Sequence, residues 1–244
     1  SDKSETSREL MNKVAIMGMF RSGTNYTRTV LEWNFDVVVE YNSFGWKHGL
    51  FPLLGSQCVI KYPELPLVTI SKHPLAALDS LFRYFSTNGK NIRAGNTFES
   101  FIRNPILIFD EGSKASVELR FRTPVDYYNT LYTNLLSAGN VLPSHVHLKY
   151  EDALSSPSVT FGALAEKLAL PKKDVGNTEG IVIPEYRTLN MGEGKKRSVP
   201  EDYLGKKVFA SDHYTKEKYR SIYSKADLVW MGDYVGGDLI RKLG

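Results

Sequence analysis

The chain has 244 residues, 42% of them hydrophobic and 24% charged, with a formal net charge of +4. That length supports one large domain with a sizeable core, and the composition is that of an ordinary soluble globular protein. The basic runs are short, "KK" and "KKR", which disfavours a nucleic-acid surface, and no run approaches the roughly 18 apolar residues of a membrane helix.

Residues 1–12 are polar and read as a flexible start, with one domain over residues 13–244. Short runs rich in Val and Ile predict buried strands at Lys13–Met17, Asp36–Tyr41, Val59–Tyr62, Leu67–Ser71 and His145–Lys149. Between them, apolar residues at helical spacing predict helices over Thr24–Trp33, Pro74–Phe85, Val125–Ser137 and Pro157–Leu168, with a last helix over Tyr214–Lys225. Strands alternating with helices predict an α/β fold, a three-layer domain around a mostly parallel sheet. Residues 176–212 are rich in Gly, Lys and Pro and lack periodicity. They read as a long loop over the active site. The single cysteine, Cys58, excludes an internal disulfide. With no visible signal peptide, a reducing, cytoplasmic setting is expected. The one glycosylation sequon, Asn25-Tyr26-Thr27, falls inside a candidate ligand loop, where a glycan would block binding.

That loop is "GMFRSGTNYTRTVLE", starting at Gly18. A strand, two glycines five positions apart, a threonine and a helix form the layout of a phosphate cradle, in which backbone N–H groups and the helix N-terminus hold the anion. The lysine that a nucleotide triphosphatase places between the second glycine and the threonine is absent. Arg21 is the cation of the loop instead.

"FRSGTNY" resembles the first signature of the sulfotransferase family, a basic residue followed by Ser-Gly-Thr and, two positions later, an aromatic. The resemblance implies that Arg21, Ser22, Gly23, Thr24 and Asn25 hold the 5′-phosphosulfate of the donor 3′-phosphoadenosine 5′-phosphosulfate (PAPS). It also implies that Tyr26 stacks on adenine. The second signature is a strand, Arg-x-Pro, and a Ser eight residues after the Arg, and it binds the 3′-phosphate. "LVTISKHPLAALDS" offers Lys72, Pro74 and Ser80 at that spacing, with Lys in place of Arg and Ala76 in place of a common acidic residue. A lysine supplies a point charge where arginine would bind phosphate through two parallel bonds. "HLKYEDALSSP" resembles a third pattern and brings Tyr150 towards the adenine. "GEGKKRSVPEDY" resembles the donor-covering loop of carbohydrate sulfotransferases, with Lys196 and Arg197 on the phosphates.

Sulfuryl transfer needs an aligned acceptor oxygen, a base for its proton and stabilisation of charge on the transferring group. No metal is required by that chemistry, and no metal-ligand spacing is visible. Of five histidines, His145 and His147 alternate on a strand and read as structural. His73 sits beside the second loop, and His48 lies in "FGWKHGLFP", 24 residues before Lys72. Cytosolic members of the family carry a Lys-x-His base at a similar distance, so the resemblance makes His48 the candidate base and Lys47 and Arg21 the stabilising cations. Glu40 is the carboxylate alternative. Phe20, Phe44 and Trp46 offer apolar surface to an acceptor. The expected reaction yields 3′-phosphoadenosine 5′-phosphate (PAP) and a sulfated hydroxyl acceptor, a small molecule or a glycan. Two other readings stay open: a P-loop kinase or NTPase, and a non-catalytic nucleotide- or glycan-binding protein on the same fold.

Overall fold

The computed structural model describes residues 12–52, 64–87, 97–109, 118–173, 180–183, 211–234 and 243. The predicted strand Val59–Tyr62 and most of the loop 176–212, with Lys196 and Arg197, lie outside the described residues.

The strands are β1 (Lys13–Gly18), β2 (Val38–Glu40), β3 (Leu67–Ser71), β4 (Ile106–Phe109), β5 (Glu118–Phe121) and β6 (His145–Lys149). The helices are α1 (Thr24–Asn34), α2 (Pro74–Thr87), α3 (Phe98–Arg103), α4 (Pro124–Ser137), α5 (Tyr150–Ser155), α6 (Pro157–Lys167), α7 (Ser211–Thr215) and α8 (Lys225–Tyr234). Four strands form one parallel sheet in the order β2-β1-β3-β6, and β4 and β5 pair as a separate antiparallel ribbon. This is the expected α/β arrangement. Among the described residues no helix is long and apolar enough to cross a membrane.

The sheet is buried on both faces, so its strands read as continuous apolar runs. Ala15, Met17 and Leu67 face one core with Leu78 and Leu81 of α2, Phe101 of α3 and Tyr128, Leu131 and Tyr132 of α4. Val14, Ile16, Val68, Ile70 and Leu148 face a second core with Val30 and Leu31 of α1 and Phe161 and Leu164 of α6. The chain leaves β1 towards one face through α1, and leaves β3 towards the other through α2. Strand order reverses between β1 and β3, and in open α/β sheets the crevice beyond the carboxyl ends at such a point is where ligands bind.

The end of the chain departs from the expectation. A single helix over Tyr214–Lys225 is replaced by α7, a 3₁₀ turn at Lys218–Ile222 and α8. Glu217 sits in the left-handed region, φ 49°, and interrupts the helix. A new one starts at Ser224, whose backbone N–H donates to Asp227 Oδ2 at 2.9 Å while Asp227 N–H donates to Ser224 Oγ at 3.1 Å. That reciprocal cap is written in the sequence as Ser-x-x-Asp.

His145 and His147 are structural, as expected. On one face of the β3–β6 pair, His145 Nε2 lies 2.8 Å from Thr69 Oγ1, Thr69 Oγ1 lies 3.0 Å from His147 Nδ1, and His147 Nε2 lies 2.9 Å from Ser71 Oγ. The ladder is satisfied with both rings neutral: His147 Nδ1–H donates to Thr69, Thr69 to His145, and Ser71 to His147. Burial, with Lys167 nearby, lowers His145 to about 4; burial, then His145 and Lys149, lowers His147 to about 4. An unfolded chain protonates these rings near 6.5. Between pH 6.5 and 4 it therefore binds more protons than the native state, and stability rises with pH. The melting temperature is expected to fall on acidification through that window, and a His145→Gln/His147→Gln variant to show a shallower fall in thermal melts across the same pH range.

Candidate functional site

The ends of β1 and β3 carry the two loops singled out in the sequence. Gly18 ends β1, and a side chain there would meet Ser22 Oγ at 2.6 Å and the Ile70 carbonyl at 2.7 Å, so the loop folds back only over glycine. Arg21 adopts φ 63° and is exposed, its guanidinium carbon 5.8 Å from the Tyr84 ring. Ser22 is buried, and its Oγ has no hydrogen-bond partner among the described residues. Gly23 adopts φ 105° as the residue before α1, and no side chain caps that helix end. Its first backbone N–H groups and dipole are thereby left to the loop, which suits an anion. A Cβ on Gly23 would lie 2.3 Å from the Tyr150 ring, which walls the cradle.

Lys72, just past β3, is only 2% exposed. Its Nζ donates to the Arg21 carbonyl at 2.6 Å and to Ser80 Oγ at 3.4 Å, so it joins the first loop to α2. The rings of Tyr150 and Tyr214 flank the ammonium at 4.3 and 3.9 Å from their centroids. Burial pulls its pKa down to about 8 against the opposing pull of Tyr214 and Glu151. Ser80, 3% exposed, shares a 2.8 Å hydrogen bond with the Tyr214 hydroxyl. The predicted Lys72–Ser80 pair is thus brought together, but under a tyrosine that the sequence reading did not assign to it.

His48 is brought to the same loop. Gly18 N–H donates to the Lys47 carbonyl at 2.9 Å, and His48 Nδ1 lies 2.7 Å from the Gly18 carbonyl. A carbonyl only accepts, so Nδ1 carries the proton. Burial, then the Lys47 charge, pushes His48 down to about 3, so the ring is neutral and Nε2 bears a lone pair. Phe20 stacks on the imidazole at 4.2 Å and Trp46 meets it edge-on at 5.5 Å. Phe20 and Trp46 keep part of their surface open, whereas Phe44 is a core residue that offers an acceptor nothing. Lys47 Nζ lies 3.5 Å over the Tyr41 ring and donates to Asn25 Oδ1 at 3.2 Å; burial and Arg28 lower its pKa to about 8. Glu40 stands opposite Ala15 in register, short of the loop, and pairs with Lys13 at 2.9 Å.

Two adenine contacts implied by the resemblance have other employment. Tyr26 is 4% exposed, packs against Tyr150 and Phe161, and donates its hydroxyl to the Ala153 carbonyl at 3.0 Å. Tyr150 is buried between Gly23 and Lys72. Thr24 is buried at the start of α1, and Asn25 is exposed and accepts from Tyr41 and Lys47.

The sequence reading missed what holds these pieces in place. Three buried tyrosines of α4 donate to backbone carbonyls around the site: Tyr127 to His48 at 2.8 Å, Tyr128 to Lys72 at 2.9 Å and Tyr132 to Ile70 at 2.9 Å. The signal was three tyrosines on one apolar helix, since a buried phenol needs a partner. A cavity of about 300 Å³ opens beside Tyr214, lined by His73, Lys149, Glu151, Asp152 and Tyr219 among others.

Comparison of the chain with protein-family models, with curated proteins and with solved structures finds no match in any of the three.

The residues at the two strand ends suit a ligand with two separate anionic groups. One cradle has an uncapped helix end and Arg21; the other has a buried cation and a hydroxyl. Gly23→Ala is expected to cost at least about 2 kcal/mol, because it combines a strained φ with a clash against Tyr150. The denaturant midpoint would read this, and a Tyr150→Leu background should recover part of the loss.

Proposed function

We propose that this chain is a sulfotransferase that moves a sulfuryl group from PAPS to a hydroxyl acceptor. The observation that carries the reading is the pairing of two anion sites across the β1/β3 reversal, linked by the 2.6 Å bond from Lys72 to the Arg21 carbonyl, with His48 held through Nδ1 on the Gly18 carbonyl at the start of the first of them. When bound, PAPS supplies the sulfuryl group and leaves as PAP.

Each residue then has a task set by its position. The N-terminus of α1, with the backbone of Ser22, Gly23 and Thr24, holds the 5′ end. Arg21 and Lys47 offset the negative charge that gathers on the transferring group. Lys72 and Ser80 hold the 3′-phosphate. His48 Nε2 takes the proton of the acceptor hydroxyl as its oxygen bonds to sulfur, and the Gly18 carbonyl fixes the tautomer that makes this possible. Phe20, Trp46 and Tyr84 form an apolar aromatic wall around His48 on which the ring or hydrocarbon face of the acceptor packs. The acceptor is a small molecule or a glycan, and a cytoplasmic setting fits the single cysteine.

Adenosine 3′,5′-bisphosphate is expected to raise the melting temperature, by several degrees at about 100 times its Kd. ATP with Mg²⁺ should do so far less. Stabilisation by ATP alone would overturn the reading in favour of an NTPase. His48→Ala should lower kcat in a labelled-sulfate transfer assay by about 10²–10⁴ while leaving bisphosphate binding intact; equal activity removes His48 from its role. Because His48 stays neutral well below the usual histidine range, the acid limb of kcat/KM is expected below pH 6.5.

A further inference from the structure

Tyr214 is fastened over the second anion site by contacts that an anion there would have to break. Its helix, α7, docks on α2 at two neighbouring positions. His213 Nε2 lies 2.8 Å from Asp79 Oδ2 and 2.9 Å from the Arg83 guanidinium, and the Tyr214 hydroxyl and Ser80 Oγ share a hydrogen bond at 2.8 Å. Asp79 also accepts from Arg83 at 2.7 Å, and Tyr214 meets Tyr150 edge-on at 5.3 Å. Inside this box the donors are spent. Lys72 serves the Arg21 carbonyl, Ser80 and two ring faces, and Ser80 serves Tyr214. With Lys72 at 2% and Ser80 at 3% exposure, no phosphate oxygen reaches either while Tyr214 is in place.

We propose that Tyr214 is an internal competitor for the anion site of Lys72 and Ser80: it engages both residues, a phosphate group displaces it, and it competes with that phosphate for as long as the phosphate is bound. The proposal rests on the two-anion reading above. The phenol is a fitting stand-in for phosphate. Burial alone would raise its pKa, but the charge of Lys72, the Ser80 and Lys72 hydrogen bonds and the charge of Arg83 hold it below the ordinary value. Its hydroxyl and ring lie on the same serine and cation that a phosphate would seek. A phosphate wins the exchange because its hydrogen bonds to an ammonium are charge-assisted on both sides, whereas α7 loses one shared hydroxyl bond and its contact with Asp79. Once the sulfuryl group has gone, the bisphosphate still carries its 3′-phosphate, and Tyr214 still competes with it. The same exchange reaches the first loop, since Lys72 holds the Arg21 carbonyl.

The test reads access to Lys72 directly. Reductive methylation with formaldehyde and cyanoborohydride, mapped by peptide mass spectrometry, should modify Lys72 about tenfold more slowly in the wild type than in Tyr214→Ala. A protein whose competent state is fractionally populated shows apparent affinity reduced by that fraction. Inorganic phosphate should therefore protect Lys72 in Tyr214→Ala at about one tenth of the concentration the wild type needs. His213→Ala, which loosens α7 and leaves the Lys72 box intact, should shift both readouts the same way and serves if Tyr214→Ala does not melt cooperatively. Equal labelling and equal protection in wild type and variants overturn the competitor role and leave the donor reading untouched. Weaker phosphate protection in Tyr214→Ala makes Tyr214 a ligand and also overturns it. Gated labelling and phosphate protection, with no affinity for adenosine 3′,5′-bisphosphate in either protein, leave the competitor standing and sink the PAPS reading.

Discussion

Lys72 carries an ammonium group into a place where 2% of the residue meets solvent, and it has to be satisfied there. A buried cation without partners is strongly destabilising. This one is met by a backbone carbonyl, a serine hydroxyl and two aromatic faces, each from a different element: Arg21 from the first loop, Ser80 from α2, Tyr150 from α5 and Tyr214 from α7. Satisfying one charge therefore fixes four segments relative to one another. Burial still pulls its pKa to about 8, so the compensation is incomplete. A cation held short of full satisfaction is one that an incoming anion can claim.

The tyrosines of α4 do the complementary work on the neutral side. Carbonyls where the chain leaves regular structure need partners, and buried carbonyls must be paired. Tyr128 and Tyr132 pair two of them at the end of β3, at Lys72 and Ile70, and Tyr127 pairs a third in the loop that bears His48. The mouth of the site is thereby rigid from the core outward. Its polar groups point where they do because the backbone behind them is pinned, and the short stretch bearing His48 is clamped twice more by Gly18.

The fold was legible because its signals are local. Val- and Ile-rich runs marked β1, β3 and β6 within a residue, and apolar spacing marked α1, α2, α4 and α6 nearly as closely. The α7–α8 region was misread because one left-handed residue, Glu217, divides what looks like a continuous helix, and a sequence pattern does not carry φ. Of the candidate site, the residues joined by motif spacing are brought together by the fold: the first loop, Lys72 with Ser80, and His48. What was missed is what only tertiary structure supplies. Tyr26 fits a motif position for a ring platform, yet the turn of α1 that places it there also faces the second core. Phe44 is likewise claimed by the first core. Tyr214 lies 134 residues from Ser80 in sequence, and no spacing rule spans that distance.

The positions of Tyr26 and Tyr150 bear on how any nucleoside would lie. Both rings are consumed by packing, Tyr26 against Phe161 and Tyr150 against Gly23 and Lys72, so neither offers a free face for a base to stack on. Among the described residues a cavity of about 300 Å³ lies beside Tyr214, walled by the rings of His73, Tyr214 and Tyr219 and by the charged groups of Lys149, Glu151, Asp152 and Glu217. Three carboxylates outnumber the one ammonium in that lining, so the cavity favours a group rich in N–H donors over an anion. It adjoins the Lys72–Ser80 pair through Tyr214 itself. A ligand with phosphates on the two cations and a base in this cavity would meet Tyr214 at the junction of the two. Movement of that one side chain would then open the cation to the phosphate and enlarge the cavity for the base in a single step, because Tyr214 both flanks Lys72 and lines the cavity.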